Sequence, residues 1–195
     1  MVKKASKEFW SNRKVFITGH TGFKGSWLTS LLLNLGANVS GFSLPIDENN
    51  YLYNKISTSI ENNIETCYGD ILDREFLCQK VKEFQPDIIF HLAAQPIVGL
   101  SYLNPIKTWE TNLIGTLNVM DCLGKIDNEC SLIVITTDKV YENKEWIYGY
   151  RENDQLGGYD PYSASKAATE IAISSWRSSF LDKFQGKYKL ASARA

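Results

Sequence analysis

The chain is predicted to fold as a doubly wound, parallel α/β sheet in three layers, α/β/α. Short β-branched runs alternate with helix-period segments along all 195 residues. Two of those runs are apolar almost without interruption, as in strands covered on both faces. A glycine-rich turn joins the first strand to the first helix, which is where such sheets bind ligands.

Each element follows from its own residues. Lys14 to Thr18 is a β-branched strand, and Ser26 to Leu35 is a leucine-rich helix. Gly36 sits where a helix-terminating glycine belongs. Asn38 to Leu44 is a second strand, ended by Pro45, and Asp47 to Asn63 is polar with room for a short helix. Ile64 to Tyr68 is a third strand. Asp73 caps a helix running to Phe84, with Phe76, Leu77, Val81 and Phe84 on its apolar face. Asp87 to Ala93 is a fourth strand and Pro105 to Leu123 the next helix. Ser131 to Thr136 is a fifth strand, and Asp138 to Asp160 a long loop. Pro161 opens a helix to Phe180, and Lys189 to Ala195 begins a sixth strand. Nothing after that strand is present to cover it. The chain therefore reads as one dinucleotide-binding domain over residues 1–195, truncated before a substrate-binding domain.

Composition excludes several classes. Net charge is −1, with 44% hydrophobic and 22% charged residues, so no basic excess points to nucleic acid. No apolar stretch suits a membrane span, and no signal-peptide run follows the polar segment Met1 to Glu8. A cytoplasmic setting is expected. Cys67, Cys78, Cys122 and Cys130 form no CxxC pair and no metal spacing, and are read as reduced, mostly buried thiols.

The cofactor signal is Gly19-His20-Thr21-Gly22-Phe23-Lys24-Gly25 between strand and helix. Gly19 permits the turn, Gly22 lets backbone approach a diphosphate, and Gly25 lets the helix pack near the strand. The helix N-terminus offers N–H groups to the anion. The fold is thus of the Rossmann type, with a dinucleotide as cofactor. Ser43 and Leu44 stand where an acid usually holds the adenosine ribose, and no arginine is placed for a 2′-phosphate. NAD is expected, with NADP open.

Two further strand ends carry chemistry. Tyr162 and Lys166 lie at i and i+4, on one helix face. An ammonium beside the phenol, with an oxidised nicotinamide near, is expected to lower the tyrosine pKa. At the end of the fifth strand, Thr136-Thr137-Asp138-Lys139-Val140-Tyr141 offers a hydroxyl at Thr137 and an acid/base pair at Asp138 and Lys139. Leu92, Ala93, Ala94 and Gln95, after His91, are suited to let a cofactor lie across the strand ends; His91 itself is read as packing in the sheet.

With the strings from Phe16 to Leu28, Phe90 to Pro96 and Thr136 to Tyr141, the chain resembles the nucleotide-sugar dehydratase and epimerase branch of the extended short-chain dehydrogenases. The resemblance runs from about Phe9 to Ala195. It implies an adenine contact at Asp70 and Ile71, although Asp70 also fits a turn carboxylate. It implies cofactor contacts at Thr21, Phe23, Lys24 and Thr136 as well, and a nicotinamide ribose held by Lys166. Asn112, in an NxxGT stretch, is implied to brace the sheet. Asp138-Lys139 stands where dehydratases of dTDP-glucose carry Asp-Glu, and epimerases lack that pair. The implied chemistry is internal redox of a nucleotide sugar, ending in a 4-keto-6-deoxy product. The implied partner is a second copy, through a four-helix bundle of the Pro105 to Leu123 and Pro161 to Phe180 helices. Trp176 and Phe180 suit that interface or burial under the sheet equally. A sugar epimerase, a carbonyl reductase and a catalytically silent cofactor-binding fragment stay open.

Overall fold

The structure, a computed structural model, describes residues 5–48, 50–180 and 186–195. Six parallel strands form one sheet in the order β3-β2-β1-β4-β5-β6. They are β1 (Lys14–Thr18), β2 (Asn38–Ser43), β3 (Ile64–Tyr68), β4 (Ile88–His91), β5 (Cys130–Thr136) and β6 (Tyr188–Arg194). Strand order reverses between β1 and β4, where Val15 pairs with Val39 on one side and Ile88 on the other. A crevice therefore opens at the carboxyl ends of β1 and β4.

The helices in chain order are α1 (Lys7–Trp10), α2 (Phe23–Asn34), α3 (Tyr51–Ile60), α4 (Arg74–Phe84), α5 (Val98–Leu103), α6 (Pro105–Trp109), α7 (Gly115–Cys122) and α8 (Pro161–Phe180). Alternating strand residues feed two cores. Val15, Ile17 and Val39 meet Leu32 of α2, whereas Phe16, Phe42, Ile89, Leu132 and Val134 meet residues of α4, α7 and α8. That division is the three-layer arrangement the periodicity predicts. Gly36 takes φ +84° after α2, as expected of a terminating glycine. Asp73 caps α4 through Phe76 N.

Four differences from the sequence reading have physical causes. The Pro105–Leu123 helix is not regular: a π turn over Glu110–Ile114 separates α6 from α7. β4 ends at His91; Leu92 and Ala93 leave the sheet, donating from their backbone N–H groups to the Thr18 carbonyl and hydroxyl. α5 was not expected, because its Leu100, Tyr102 and Leu103 are exposed and give no buried stripe. The expectation of four reduced cysteines is corrected: Cys78 and Cys122 form a disulfide, with Cα atoms 4.8 Å apart. They are 44 residues apart, and only the packing of α4 on α7 brings them together. Cys67 and Cys130 are free.

Trp176 packs partly buried against the core and meets Phe180 at a tilt of 49°, with ring centroids 4.6 Å apart. Burial is thus the better account of Trp176 than an interface anchor. Among the described residues no helix is long and apolar enough to cross a membrane, and no three metal-ligating side chains converge.

Candidate functional site

The glycine loop is shaped by its own backbone. Gly19 has φ +75°, and a Cβ there would stand 2.6 Å from Ala93 N. A Cβ on Gly25 would stand 2.1 Å from the Gly19 carbonyl oxygen. Both positions exclude any side chain. Gly22 differs, since a Cβ would meet only the Gly19 oxygen at 3.3 Å. The loop's own packing does not demand that glycine, and its open side lies over the start of α2. Gly22 is also the N-cap of α2 and brings no side-chain cap to the first-turn amides. A backbone cradle with unfilled helix N–H groups fits an anion such as a dinucleotide diphosphate. Phe23 and Lys24 on that turn are exposed, and Thr21 is buried.

Ser43 is turned inward. Its hydroxyl pairs with His20 Nδ1 at 2.8 Å and accepts from Thr21 N at 3.4 Å. His20 is fully buried against Tyr53, and burial brings its pKa down to about 4. Gly41 makes room for that ring, as a Cβ there would lie 2.5 Å from it. Asp70 accepts from Leu72 N at 3.0 Å and pairs with Lys107 at 3.4 Å, while Ile71 is buried against Gly115. Asp70 is therefore a turn carboxylate in this structure. It stands at the outer end of the edge that the glycine loop occupies.

Ala93 closes on Gly19, and Ala94 and Gln95 continue away from the sheet. Asn112, on the π turn, accepts from Gln95 N at 2.8 Å and donates to the Gln95 carbonyl at 3.2 Å and to Ser165 Oγ at 2.9 Å. It ties the segment after β4 to α8. The Gln95 side chain turns back to Thr108 Oγ1 and Ile97 N. His91 is buried between Thr18 and Thr116, and burial followed by the nearby Lys166 charge brings its pKa down to about 3. It is a neutral packing residue.

At the end of β5 the Thr137 hydroxyl donates to Asp138 Oδ1 at 3.1 Å and accepts from Lys139 N at 3.4 Å. Asp138 and Lys139 are exposed on a single 3₁₀ turn, Asp138–Val140. Tyr162 starts α8 beside them, behind Asp160, which caps the helix through Ser163 N and Oγ at 2.9 and 2.7 Å. Tyr162 is raised above its ordinary pKa, first by burial, with Thr137 partly offsetting it and Asp138 and Asp160 adding to it. The Lys166 ammonium is buried and donates to the Ile135 carbonyl at 3.0 Å. Burial, with Lys24 as a second cation, brings Lys166 down to about 8, against the pull of Glu170.

The sequence reading missed Glu170 and Arg194. The available signal was spacing: Tyr162, Lys166 and Glu170 recur every fourth residue on α8.

The sequence profile of the GDP-mannose 4,6 dehydratase family matches residues 16–182, from β1 to the end of α8. The chain belongs to that family. It is 44% identical over 192 residues to a CDP-glucose 4,6-dehydratase of Salmonella typhimurium, covering 97% of this chain and 53% of that protein. It is 31% identical over 172 residues to a CDP-paratose 2-epimerase of Salmonella typhi, covering 80% of this chain and 51% of that one. Among solved structures, a Thermus thermophilus UDP-glucose 4-epimerase in complex with NAD superposes with a TM-score of 0.75 at 26% identity, covering 93% and 54% of the two chains. The Streptomyces venezuelae dTDP-glucose 4,6-dehydratase DesIV, with NAD and TYD bound, shares the fold at a TM-score of 0.77 and 22% identity, covering 93% and 55%. The chain spans about half the length of these family relatives.

Proposed function

We propose that this chain is the cofactor-binding half of an NAD-dependent CDP-glucose 4,6-dehydratase, a lyase of deoxysugar synthesis in the cytoplasm. One observation carries the reading. The Thr137-Asp138-Lys139 turn stands beside Tyr162 at the sheet's carboxyl edge, in a chain 44% identical to a CDP-glucose 4,6-dehydratase. Its domain is residues 1–195, and the nucleotide sugar is held chiefly by a further domain.

The residues assigned to the cofactor are Gly19, Thr21, Gly22, Phe23, Lys24 and Gly25 around the diphosphate, Ser43, Asp70 and Ile71 on the adenosine side, and Leu92, Ala93, Ala94, Gln95, Thr136, Tyr162 and Lys166 toward the nicotinamide. The cradle at Gly22 supports the diphosphate assignment. The inward hydroxyl of Ser43, which accepts from Thr21 N, supports a part for it in holding the loop. The NAD held by solved relatives of this fold supports NAD as the cofactor, with NADP open.

Bound NAD supplies a reversible hydride acceptor, and its oxidised ring supplies the positive charge that a raised Tyr162 needs to ionise. Tyr162, oriented by Thr137, takes the proton of the sugar 4-hydroxyl as C4 gives up the hydride that the bound acceptor would take and later return at C6. The resulting 4-ketone acidifies the proton on C5. Lys139 removes that proton and Asp138 protonates the departing 6-hydroxyl, so that water leaves across C5 and C6. Reduction at C6 then yields a 4-keto-6-deoxy sugar. Lys166 holds its proton near the cofactor ribose, anchored by the Ile135 carbonyl.

The test is product analysis by mass spectrometry and NMR on the chain extended to full length, given CDP-glucose and NAD. Loss of one water with a 4-keto-6-deoxy product supports the dehydratase. An unchanged mass with inverted C4 makes it an epimerase, and normal C5 exchange with solvent in Lys139→Ala removes Lys139 from the mechanism.

The partner reading is a homodimer through a four-helix bundle. It is supported by an exposed apolar face that includes Leu103 and Ile106 beside α8, where Ile171 is also exposed. Light scattering at dimer mass is the expected result, and a monomer would remove it.

A further inference from the structure

Below the Tyr162–Lys166 pair, the same face of α8 carries a third polar residue. Glu170 is 4% exposed, and both of its carboxylate oxygens accept hydrogen bonds. Oε1 takes the Thr136 hydroxyl at the end of β5. Oε2 takes Ser192 Oγ at 2.8 Å and Arg194 Nη2 at 3.1 Å, both from β6. Arg194 continues outward: Nη1 donates to Tyr141 Oη at 2.7 Å and to the Glu152 carbonyl at 3.1 Å, and the guanidinium lies 5.0 Å from the Tyr141 ring centre. One carboxylate thus joins α8 to β5 and β6 and, through Arg194, to the residue that closes the Thr137–Tyr141 turn.

We propose that Glu170 and Arg194 form a positioning pair for the reaction edge. Glu170 fixes Thr136 and the turn that follows it against α8 and places a negative charge one helical turn from the buried Lys166 ammonium, while Arg194 limits that charge and anchors Tyr141. The pair rests on the reading of Tyr162 and Lys166 as reaction groups, because it acts through them.

The electrostatics agree with the geometry. Burial works against the Glu170 carboxylate, yet its hydrogen bonds to Arg194, Thr136 and Ser192 and the Arg194 charge hold its pKa below the ordinary range. Glu170 is therefore ionised at neutral pH. The charged and titrating groups around Lys166 are Lys24 from α2, His91 from β4, and Glu170 on its own helix; His91 is neutral, so Glu170 is what opposes Lys24 and desolvation. A brace could have been built from a neutral amide. An ionised one additionally pulls toward the protonated Lys166, against burial and Lys24.

The experiment is a pH titration of Lys166 followed by ¹H–¹³C NMR at lysine Cε on this chain, with Lys166→Met assigning the signal. Glu170→Gln keeps the size and two acceptor contacts but removes the charge. Arg194→Met removes the opposing charge and leaves Glu170. The expected result is opposite shifts: down by about one unit in Glu170→Gln and upward in Arg194→Met. A brace without an electrostatic role moves both variants together or neither, and that outcome overturns the proposal. Unchanged circular dichroism at neutral pH separates these outcomes from misfolding, and where Glu170→Gln does not fold, the upward shift in Arg194→Met alone decides. The titration uses no sugar substrate, so a failed dehydratase assay leaves it standing, and a failed titration leaves the dehydratase assignment standing.

Discussion

The two sides of the sheet's carboxyl edge are built by opposite means. On the β1–β2 side, the glycine loop is defined by atoms that are absent: Gly19, Gly25 and Gly41 each sit where a Cβ would strike a neighbour at 2.7 Å or less. On the β5–β6 side, the edge is held by buried charge, with Lys166 on the Ile135 carbonyl and Glu170 on Arg194. The first side is governed by volume and the second by protons. A single fold therefore answers to two different kinds of perturbation, and each can be probed without the other.

The largest effect is expected on the volume side. Gly25→Ala forces a methyl carbon to within 2.1 Å of the Gly19 oxygen, and backbone has to move. We expect a loss of about 4 kcal/mol or more, measured by urea unfolding and equal at pH 7 and pH 9. Gly22→Ala, where the backbone is at φ −70°, is the matched control: unfolding within about 1 kcal/mol of the parent, with NAD affinity down at least about tenfold. A Gly22→Ala protein with undiminished NAD affinity would remove the loop from the diphosphate site.

The charge side should respond to pH instead. Lys166 has a pKa of about 8 when folded and 10.5 when unfolded. Between those values the unfolded chain binds the extra proton, so stability rises with pH through that window. Below it the burial penalty is felt in full, at roughly 3 kcal/mol. Lys166→Met should therefore be more stable than the parent at pH 7, with the difference shrinking toward pH 10.5. A constant difference across that range would contradict the buried ammonium.

His20 is where the comparison is most easily broken, because it places a titrating group on the volume side. Its pKa is about 4 when folded and 6.5 when unfolded. The folded state keeps it neutral, so the stability it contributes is lost as pH falls from 6.5 toward 4, by roughly 3 kcal/mol. His20→Asn should flatten that acid slope in urea titrations. The smallest effect is at the start of α8. Asp160→Ala removes the cap on Ser163 and should cost about 1 kcal/mol, with a further loss of turnover in the extended enzyme if Tyr162 shifts with the helix end.

What could be read from the sequence divides along the same line. The glycine loop is a local spacing between a strand and a helix, so Gly19, Gly22 and Gly25 were legible, as were six strands in order. Tyr162 and Lys166 were legible because helix geometry alone places them together. The groups that tune them were not. Arg194 lies 24 residues beyond Glu170, and only the pairing of β6 with β5 brings it to the carboxylate. The Cys78–Cys122 bond likewise depends on α4 packing against α7. The surroundings of Tyr162 were not legible either: i, i+4 spacing says which face a side chain shares and not which acceptor it chooses, and Lys166 donates to a backbone carbonyl.

The π turn at Glu110–Ile114 has a consequence for anyone who would redesign this scaffold. Such a turn amounts to one residue added to an otherwise ordinary helix. It points Asn112 inward at Gln95 and Ser165, and it rotates everything after it by about a third of a circle. Ile106 ahead of it faces outward while Val119 and Met120 beyond it lie wholly inside. Straightening the helix by deleting a residue would not relax a defect. It would turn the buried face of α7 by about 100°, carrying Met120 out of its place in the core and bringing a neighbouring face of the helix toward it. The irregularity is thus the gearing between an outer helical surface and an inner one, and a shortened or idealised version of this domain must keep it or rebuild α7 from its first residue.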